Sequence, residues 1–398
     1  MSAGEPHPDW DVVIAGAGVH GAGVAQAVAA AGHSVLVLEC SAIAAGSSSR
    51  SSKLIHGGLR YLESGQWRLV RESLQERRLM LRLAPELVRL RKFYIPVYPH
   101  TRRRPWQLRI GLSLYALLAG LDTTARFGTV PRHEWPQLDG LDTHGLQRVF
   151  WYQDAQTDDA LLTAAVMRSA QSLGATLALP AQLTGASLDD AGAQVRYLQD
   201  GREQQCRARV LINAAGPWAS KVAHSITPAI VVPALELVQG THLLFDGPPQ
   251  AGVYYVESPR DGRAIFVMPW RNQLLVGTTE VRFHGDPGAV TPGAHEIHYL
   301  LGVLRHYFPS FRDADASQVR GAFAGLRVLP AGGDHAFHRS RETLLMPDRA
   351  VRPRVLSIYG GKLTTWRAVA ARVLEQISTS LPQRTAIAHT DQLELRAS

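Results

Sequence analysis

The chain has 398 residues, 45% of them hydrophobic and 19% charged, a composition typical of a compact folded protein of about two domains. Its two cysteines, Cys40 and Cys206, exclude a disulfide framework and the usual cysteine-based metal sites, which favours a reduced, cytoplasmic setting. The net charge of +8 comes without a recognised nucleic-acid-binding motif, and the polar N-terminus around Glu5 and Asp9 does not resemble a signal peptide, so we predict neither a nucleic-acid partner nor secretion.

The first elements along the chain predict a β-α-β unit. Asp11–Ala15 (DVVIA) and Ser34–Leu38 (SVLVL) are short apolar runs typical of buried strands, and the alanine-rich Ala22–Ala31 between them predicts a helix. The turn before the helix contains the three glycines of a GxGxxG fingerprint, Gly16, Gly18 and Gly21. In this context the fingerprint indicates a dinucleotide site.

Each residue of the fingerprint has a predicted task. Gly16 allows the tight turn, Gly18 lets the backbone approach the pyrophosphate, and Gly21 lets the helix pack closely on the strand. The helix N-terminus offers free N–H groups to the phosphates. Glu39, at the end of the second strand, is placed to bind a ribose diol and disfavours NADP by repelling a 2′-phosphate.

The next segments predict helices and a basic surface. Residues Trp67–Leu90 have helical spacing, and Asp158–Gly174 predicts another helix. The first third of the chain contains many cationic residues. They are consistent with solvated helix faces, or with a surface that attracts anionic lipid or a phosphorylated substrate. They are Arg71, Arg77, Arg78, Arg82, Arg89, Arg91, Lys92, Arg102, Arg103 and Arg104.

The longest apolar run, Ile110–Leu121, is shorter than the roughly 20 residues that a transmembrane helix needs. It predicts a buried helix, or an interfacial one because Trp106 and three arginines precede it.

The second half of the chain predicts an antiparallel sheet inserted into the cofactor domain. Residues 231–284 contain apolar runs separated by polar turns, as in antiparallel strands. Val210–Ala214 and Val355–Tyr359 read as further buried strands, and Leu363–Ile377 as a closing helix. The fold class is therefore α/β: a discontinuous Rossmann-like domain (1–75, 150–225 and 350–380), an inserted substrate domain (76–149 and 226–349) and a polar tail (381–398).

Eight motifs together resemble one enzyme family. GAGVHGAG, SSKLIHGGLRYLE, NAAGPW, GTHLLF, FVMPW, LLVGTTE, GLRVLP and GGKLTTWR are similar to those of the FAD-dependent glycerol-3-phosphate dehydrogenases, which are D-amino-acid-oxidase-like flavoproteins. The resemblance runs from about residue 9 to residue 375, and SSKLIHGGLRYLE with GGKLTTWR is its most specific part.

The resemblance implies FAD as the cofactor. Small hydroxyl and glycine residues in the first specific motif can run along a flat ring system, and the glycine turn of the second can face the flavin's pyrimidine oxygens with a helix N-terminus. The implied cofactor-binding residues are Gly16, Gly18, Gly21, Glu39, Ser47, Ser48, Ser52, Lys53, Gly57, Gly58, Gly216, Gly361, Lys362, Leu363 and Thr364. No metal is predicted.

The resemblance also implies a cationic pocket for the phosphate of sn-glycerol 3-phosphate, which arginine can bind with two hydrogen bonds. The implied substrate-binding residues are Arg60, Tyr61, His242, Arg327, Arg341 and Lys362. The implied catalytic residues are Arg60, His56, His242 and Arg327, and the identity of the base among them stays open.

The implied reaction transfers a hydride from C2 of the substrate to FAD, yields dihydroxyacetone phosphate and passes electrons to a quinone, with peripheral membrane contact. The alternatives are an oxidase or dehydrogenase of the same fold that acts on an amino acid, an amine or another hydroxy acid, and a flavin-holding interaction protein without turnover. The chain departs from the family at Gln239, where lysine is usual, and at Val328, where proline is common. Many members also continue into a further helical domain.

Overall fold

The computed structural model describes residues 8–247, 249–332 and 343–397. Two sheets and seven α-helices make up the described part of the chain. The helices are α1 (Val19–Ala30), α2 (Trp67–Leu83), α3 (Pro105–Leu118), α4 (Asp159–Ser172), α5 (Ala219–His224), α6 (Ala294–Tyr307) and α7 (Trp366–Ile377).

The first sheet has parallel strands at its centre. Within the described residues it contains nine strands: β1 (Trp10–Ala15), β2 (Val35–Leu38), β7 (Thr176–Ala178), β8 (Ala181–Asp189), β9 (Gly192–Gln199), β10 (Arg202–Asn213), β11 (Ile226–Thr227), β18 (Leu344–Pro347) and β19 (Val355–Tyr359). Strand β1 pairs in parallel with β2 and β10, and β10 pairs in parallel with β19. Apolar side chains of these strands form a core with helices α1, α4 and α7.

The second sheet is largely antiparallel. Its ten described strands are β3 (Leu54–Ile55), β4 (Val88–Val97), β5 (Phe127–Thr129), β6 (Arg148–Thr157), β12 (Leu235–Asp246), β13 (Val253–Glu257), β14 (Ala264–Trp270), β15 (Gln273–Gly277), β16 (Val281–Phe283) and β17 (Gly321–Pro330). Helix α6 packs on one face and helices α2 and α3 on the other. The predicted α/β fold with an antiparallel second sheet is confirmed.

Two expectations about the first third of the chain are wrong. The helix predicted over Trp67–Leu90 ends at Leu83, and strand β4 begins at Val88. Pro85 explains the early end, because a proline disfavours helical backbone at the residue before it. Arg77, expected on a basic surface, is fully buried and forms an ion pair of 2.6 Å with Asp154.

Helix α3 is buried on one side only. Leu108, Leu112 and Tyr115 pack inward, whereas Trp106 and Ile110 are 64% and 60% exposed. Across the described ranges, no helix combines the length and the apolar character that crossing a bilayer requires.

Candidate functional site

The carboxyl ends of four strands bring the glycine motifs together. In the pairing register, Ala15 lies beside both Leu38 and Asn213, and Asn213 lies beside Ser357. The turns that follow these strands therefore open at one edge of the sheet, which is where open α/β sheets bind ligands. The segments in question are Gly16–Gly21, Glu39–Ser41, Ala214–Gly216 and Gly360–Lys362.

A cavity of about 980 Å³ extends from this edge to the face of the second sheet. Seventeen of the residues predicted from the sequence line it: Gly16, Gly18, Glu39, Ser47, Ser48, Ser52, His56, Gly58, Arg60, Tyr61, Gly216, His242, Arg327, Gly361, Lys362, Leu363 and Thr364. Segments that are far apart in the chain thus share one wall.

Two glycine positions of the glycine-rich turn leave no room for a side chain. Gly16 has a φ of +102°, and a Cβ atom on it would lie 2.9 Å from the carbonyl oxygen of Ala214. A Cβ atom on Gly21 would lie 1.9 Å from the carbonyl oxygen of Gly16, so helix α1 approaches the turn as closely as predicted. Gly21 itself contributes packing and is not part of the cavity wall.

Acidic and hydroxyl side chains hold the turn in shape. Glu39 is buried, and its carboxylate accepts hydrogen bonds of 2.8 Å from Ala17 N and 2.9 Å from Ser41 N. Ser48 Oγ accepts a hydrogen bond of 2.9 Å from Val19 N at the start of α1, and Ser47 Oγ donates one of 2.7 Å to the Leu326 carbonyl. These contacts preorganise the N–H groups and oxygens that a dinucleotide needs.

Two residues predicted to face the cofactor point elsewhere. The Lys53 side chain is buried, and Nζ lies 2.7 Å from Asp159 Oδ1 on helix α4. Gly57 packs against the second sheet's helices, where its N–H donates to the hydroxyl of Tyr115 at 2.8 Å. Both residues shape the motif from behind its cavity-facing surface. Arg341 lies outside the described residues.

Cations enter the cavity from three separate elements. Arg60 belongs to the turn after Gly58, Lys362 to the turn after β19, and Arg327 to strand β17. The ammonium of Lys362 lies 3.7 Å from the centre of the Tyr61 ring, which is a cation–π contact. The Arg60 guanidinium carbon lies 5.7 Å from the centre of the same ring. Tyr61 therefore contacts two positively charged side chains on one wall of the cavity.

Strand β12 makes room for Arg327. A Cβ atom on Gly240 would lie 2.8 Å from Arg327 Nη2, so the guanidinium crosses the strand at a residue without a side chain. Arg327 Nη2 donates to Thr278 Oγ1 at 3.2 Å, and Nη1 donates to the Thr279 carbonyl at 3.3 Å. The guanidinium is thereby fixed at the cavity wall.

His242 is held as a neutral imidazole. It is buried, stacks on Phe323 with 4.8 Å between ring centres, and places Nε2 3.0 Å from Ser52 Oγ. Burial above all, and then the charges of Arg327 and Lys53, lower the pKa of His242 well below its ordinary value of 6.5. His56 also lines the cavity, and its backbone N–H donates to Thr364 Oγ1 at 3.1 Å.

Another histidine of the cavity wall, His20, yields a prediction on acid stability. Burial, and then the charge of Arg372, lower the pKa of His20 to about 4. Between that value and 6.5 the unfolded chain binds more protons than the folded one, so the free energy of unfolding falls as pH drops below about 6.5. At pH 5 His20 should account for a loss of about 1–2 kcal/mol. Urea unfolding of cofactor-free protein at pH 7 and pH 5 should show a smaller loss for His20→Asn, and an equal loss would contradict the assignment.

Sequence reasoning missed several residues of the wall. Phe266 and Tyr255 line the cavity from strands β14 and β13, and Arg263 lines it together with Glu280, to which it is ion-paired. The run Ala264–Trp270, which includes the motif FVMPW, contained one usable signal, because Ala264 and Phe266 are two residues apart, as residues on one face of a strand are. The sequence contained no such signal for the Arg263–Glu280 ion pair, because its two residues precede two different strands.

The departure at Gln239 does not touch the cavity. Gln239 is buried on the opposite side of strand β12 from His242, where Nε2 donates to the Thr291 carbonyl at 2.8 Å and to Glu296 at 2.5 Å. Successive residues of a strand face opposite sides, which explains why this position is remote from the wall. Val328, the other departure, does line the cavity.

Known proteins are similar to this chain over most of its length. The family model described as FAD-dependent oxidoreductase (DAO) matches residues 11–367. The aerobic glycerol-3-phosphate dehydrogenase of Escherichia coli K12 is 33% identical over 383 residues, which cover 92% of this chain and 73% of that protein. The D-erythritol 1-phosphate dehydrogenase of Brucella abortus is 33% identical over 379 residues, covering 94% and 74%. The structure of a glycerol-3-phosphate dehydrogenase from Bacillus halodurans, complexed with FAD, superposes with a TM-score of 0.71 at 24% identity and covers 97% of this chain and 68% of that one.

Proposed function

This chain belongs to the DAO family of FAD-dependent oxidoreductases, and within that family we propose that it oxidises sn-glycerol 3-phosphate to dihydroxyacetone phosphate. The observation that carries the proposal is the convergence of Arg60, Arg327 and Lys362 on the cavity that the glycine motifs also line. A phosphomonoester carries close to two negative charges, and a cluster of three cations suits it better than it suits a carboxylate, for which one arginine suffices.

The cofactor half of the cavity suits FAD. Gly16, Gly18 and the N-terminus of α1 would hold the pyrophosphate, Glu39 the ribose diol, and the Gly361–Thr364 turn the flavin ring. When bound, FAD supplies the hydride acceptor, and the protein supplies binding, orientation and electrostatics. In this proposal Arg60, Arg327 and Lys362 bind the phosphate and the developing alkoxide, and Tyr61 contacts two of these cations.

His242 and His56 are the candidate proton acceptors for the substrate hydroxyl. His242 is neutral at pH 7, so one of its two ring nitrogens carries a lone pair, and Nε2 shares a hydrogen bond with Ser52 Oγ. The charge of Arg327 helps to hold its pKa down, and a bound phosphate dianion would offset that charge. Substrate binding would then raise the basicity of His242 when proton transfer requires it.

Anaerobic mixing with candidate substrates tests the proposal. The visible absorbance of the bound flavin should bleach with sn-glycerol 3-phosphate and stay unchanged with glycerol or lactate, which lack the phosphate. Bleaching by an amino acid or by lactate instead would reject a phosphorylated substrate. Release of peroxide in air would identify an oxidase in place of a quinone-dependent enzyme.

A four-carbon polyol phosphate is the second candidate. The relative from Brucella abortus is named for D-erythritol 1-phosphate and is as similar to this chain as the glycerol-3-phosphate enzyme is. Both molecules present a secondary hydroxyl and a terminal phosphate, so the same cations would bind either. The ratio of kcat/KM for the two phosphates decides between them.

We also propose that a quinone at a membrane surface takes the electrons. A smaller cavity of about 390 Å³ adjoins the main one and shares Leu59, Arg60 and Tyr255 with it. Gly111 and Leu108 of helix α3 form part of its wall, and the same helix exposes Trp106 and Ile110 on its outer side. This cavity lies beneath an exposed apolar helix face and is lined by leucines together with Glu63, Arg102 and Arg103, which suits a lipid-dissolved acceptor that carries polar carbonyl oxygens.

Filling the smaller cavity should slow the reoxidation of the flavin by quinone and leave its reduction by the substrate unchanged. A Cβ atom on Gly111 would meet nothing within 4 Å, so Gly111→Phe can place its ring in the cavity without a backbone clash. We expect reoxidation by a quinone analogue to fall about tenfold, as for a loss of about 1.4 kcal/mol, while anaerobic reduction by the substrate stays unchanged. Gly302→Phe on helix α6 is the matched control, because a Cβ atom there also meets nothing within 4 Å. Equal quinone rates in both variants would exclude this cavity.

A further inference from the structure

One polar side chain of the cavity wall has no role in the function described above. His20 is the third variable residue of the GxGxxG turn, directly before Gly21, and lies at the start of helix α1. It lines the main cavity between the glycine-rich turn and the Gly360–Lys362 turn.

His20 touches the second turn directly. A Cβ atom on Gly361 would lie 2.1 Å from His20 Nε2. No residue with a side chain therefore fits at position 361 while the imidazole keeps this position. Gly361 also has a φ of +109°, a conformation that other residues rarely adopt. The imidazole edge that carries Nε2 is therefore at the junction of the two cofactor turns.

The other ring nitrogen determines which tautomer is present. His20 Nδ1 is buried and has no hydrogen-bond partner among the described residues. A buried N–H without an acceptor is costly, and a neutral imidazole carries one proton on either nitrogen. The proton of His20 therefore belongs on Nε2, which makes this edge of the ring a hydrogen-bond donor.

We propose that His20 is a cofactor-binding residue whose Nε2–H donates a hydrogen bond to an oxygen of FAD where the two turns meet. FAD is rich in phosphate, hydroxyl and carbonyl oxygens, which accept such a bond. The inference rests on FAD as the cofactor and is independent of which substrate the protein oxidises.

The test measures how fast the purified holoenzyme releases FAD. Flavin fluorescence rises when FAD leaves the protein, so dilution of the holoenzyme reports the release rate without any substrate. One hydrogen bond of ordinary strength corresponds to about a 2- to 10-fold change in affinity. We expect His20→Ala and His20→Phe to release FAD faster by about that factor, and His20→Asn, which keeps an N–H donor, to recover part of the loss.

His33→Ala is the matched control. His33 follows the other end of helix α1, also has a lowered pKa, and contacts Asp11 at 3.6 Å instead of the cavity. Release of FAD from His20→Phe at the wild-type rate would overturn the proposal, because an aromatic ring without an N–H donor would then retain FAD equally well. Equal acceleration in His33→Ala would also overturn it, since the effect would then reflect the stability of the helix. Because neither measurement involves a polyol phosphate, both outcomes leave the proposed reaction to its own test.

Discussion

Replacing Arg327 by alanine is expected to lower kcat/KM for sn-glycerol 3-phosphate by about 10- to 150-fold, because a hydrogen bond to a charged group contributes about 1.5–3 kcal/mol. KM should rise and kcat should fall together if the guanidinium binds the phosphate in both the ground state and the transition state. FAD should stay bound. Steady-state kinetics and the rate of anaerobic flavin reduction measure these effects.

Two further variants sharpen this prediction. Arg327→Lys keeps the charge but not the two parallel donors, so we expect only partial recovery. Arg320→Ala is the control, because Arg320 lies just before strand β17, is 57% exposed and pairs with Asp246 at the surface. Flavin reduction by the substrate at the wild-type rate in Arg327→Ala would remove Arg327 from the site.

Replacing Gly18 by valine should yield a colourless protein. A Cβ atom on Gly18 would already lie 3.2 Å from Ser48 Oγ, and the two methyl groups of valine would extend into the cavity beside the N-terminus of α1. Overpacking costs about 1–3 kcal/mol and the pyrophosphate would lose its contact with the backbone, so FAD affinity should fall by about 100-fold or more. The ratio of flavin to protein absorbance after purification measures the loss.

The controls for Gly18→Val separate cofactor loss from misfolding. Gly18→Ala should retain part of the FAD, because one methyl group is added in place of three carbons. Gly302→Val changes a helical glycine remote from the cavity and should stay yellow. A Gly18→Val protein with full flavin content would show that this glycine does not lie against the pyrophosphate.

Local patterns predicted the cofactor half of the site. The βαβ unit, Gly16, Gly18 and Gly21 were recognisable because a dinucleotide turn needs glycine at fixed positions between a buried strand and a helix. The apolar runs at Val355–Tyr359 and in 231–284 likewise predicted strands that the structure contains. The sequence thus determined the fold class, the DAO family and FAD, since each depends on short motifs whose own residues are neighbours in the chain.

Only the tertiary structure decided which side chains share the cavity. Lys53 and Arg60 come from one motif, yet Lys53 turns to Asp159 in the interior while Arg60 reaches the cavity wall. Gln239 and His242 come from one strand but lie on its opposite faces, and His20 meets Gly361 across the parallel sheet. Such placements depend on strand register and on packing between distant segments, and a linear pattern does not contain either of them.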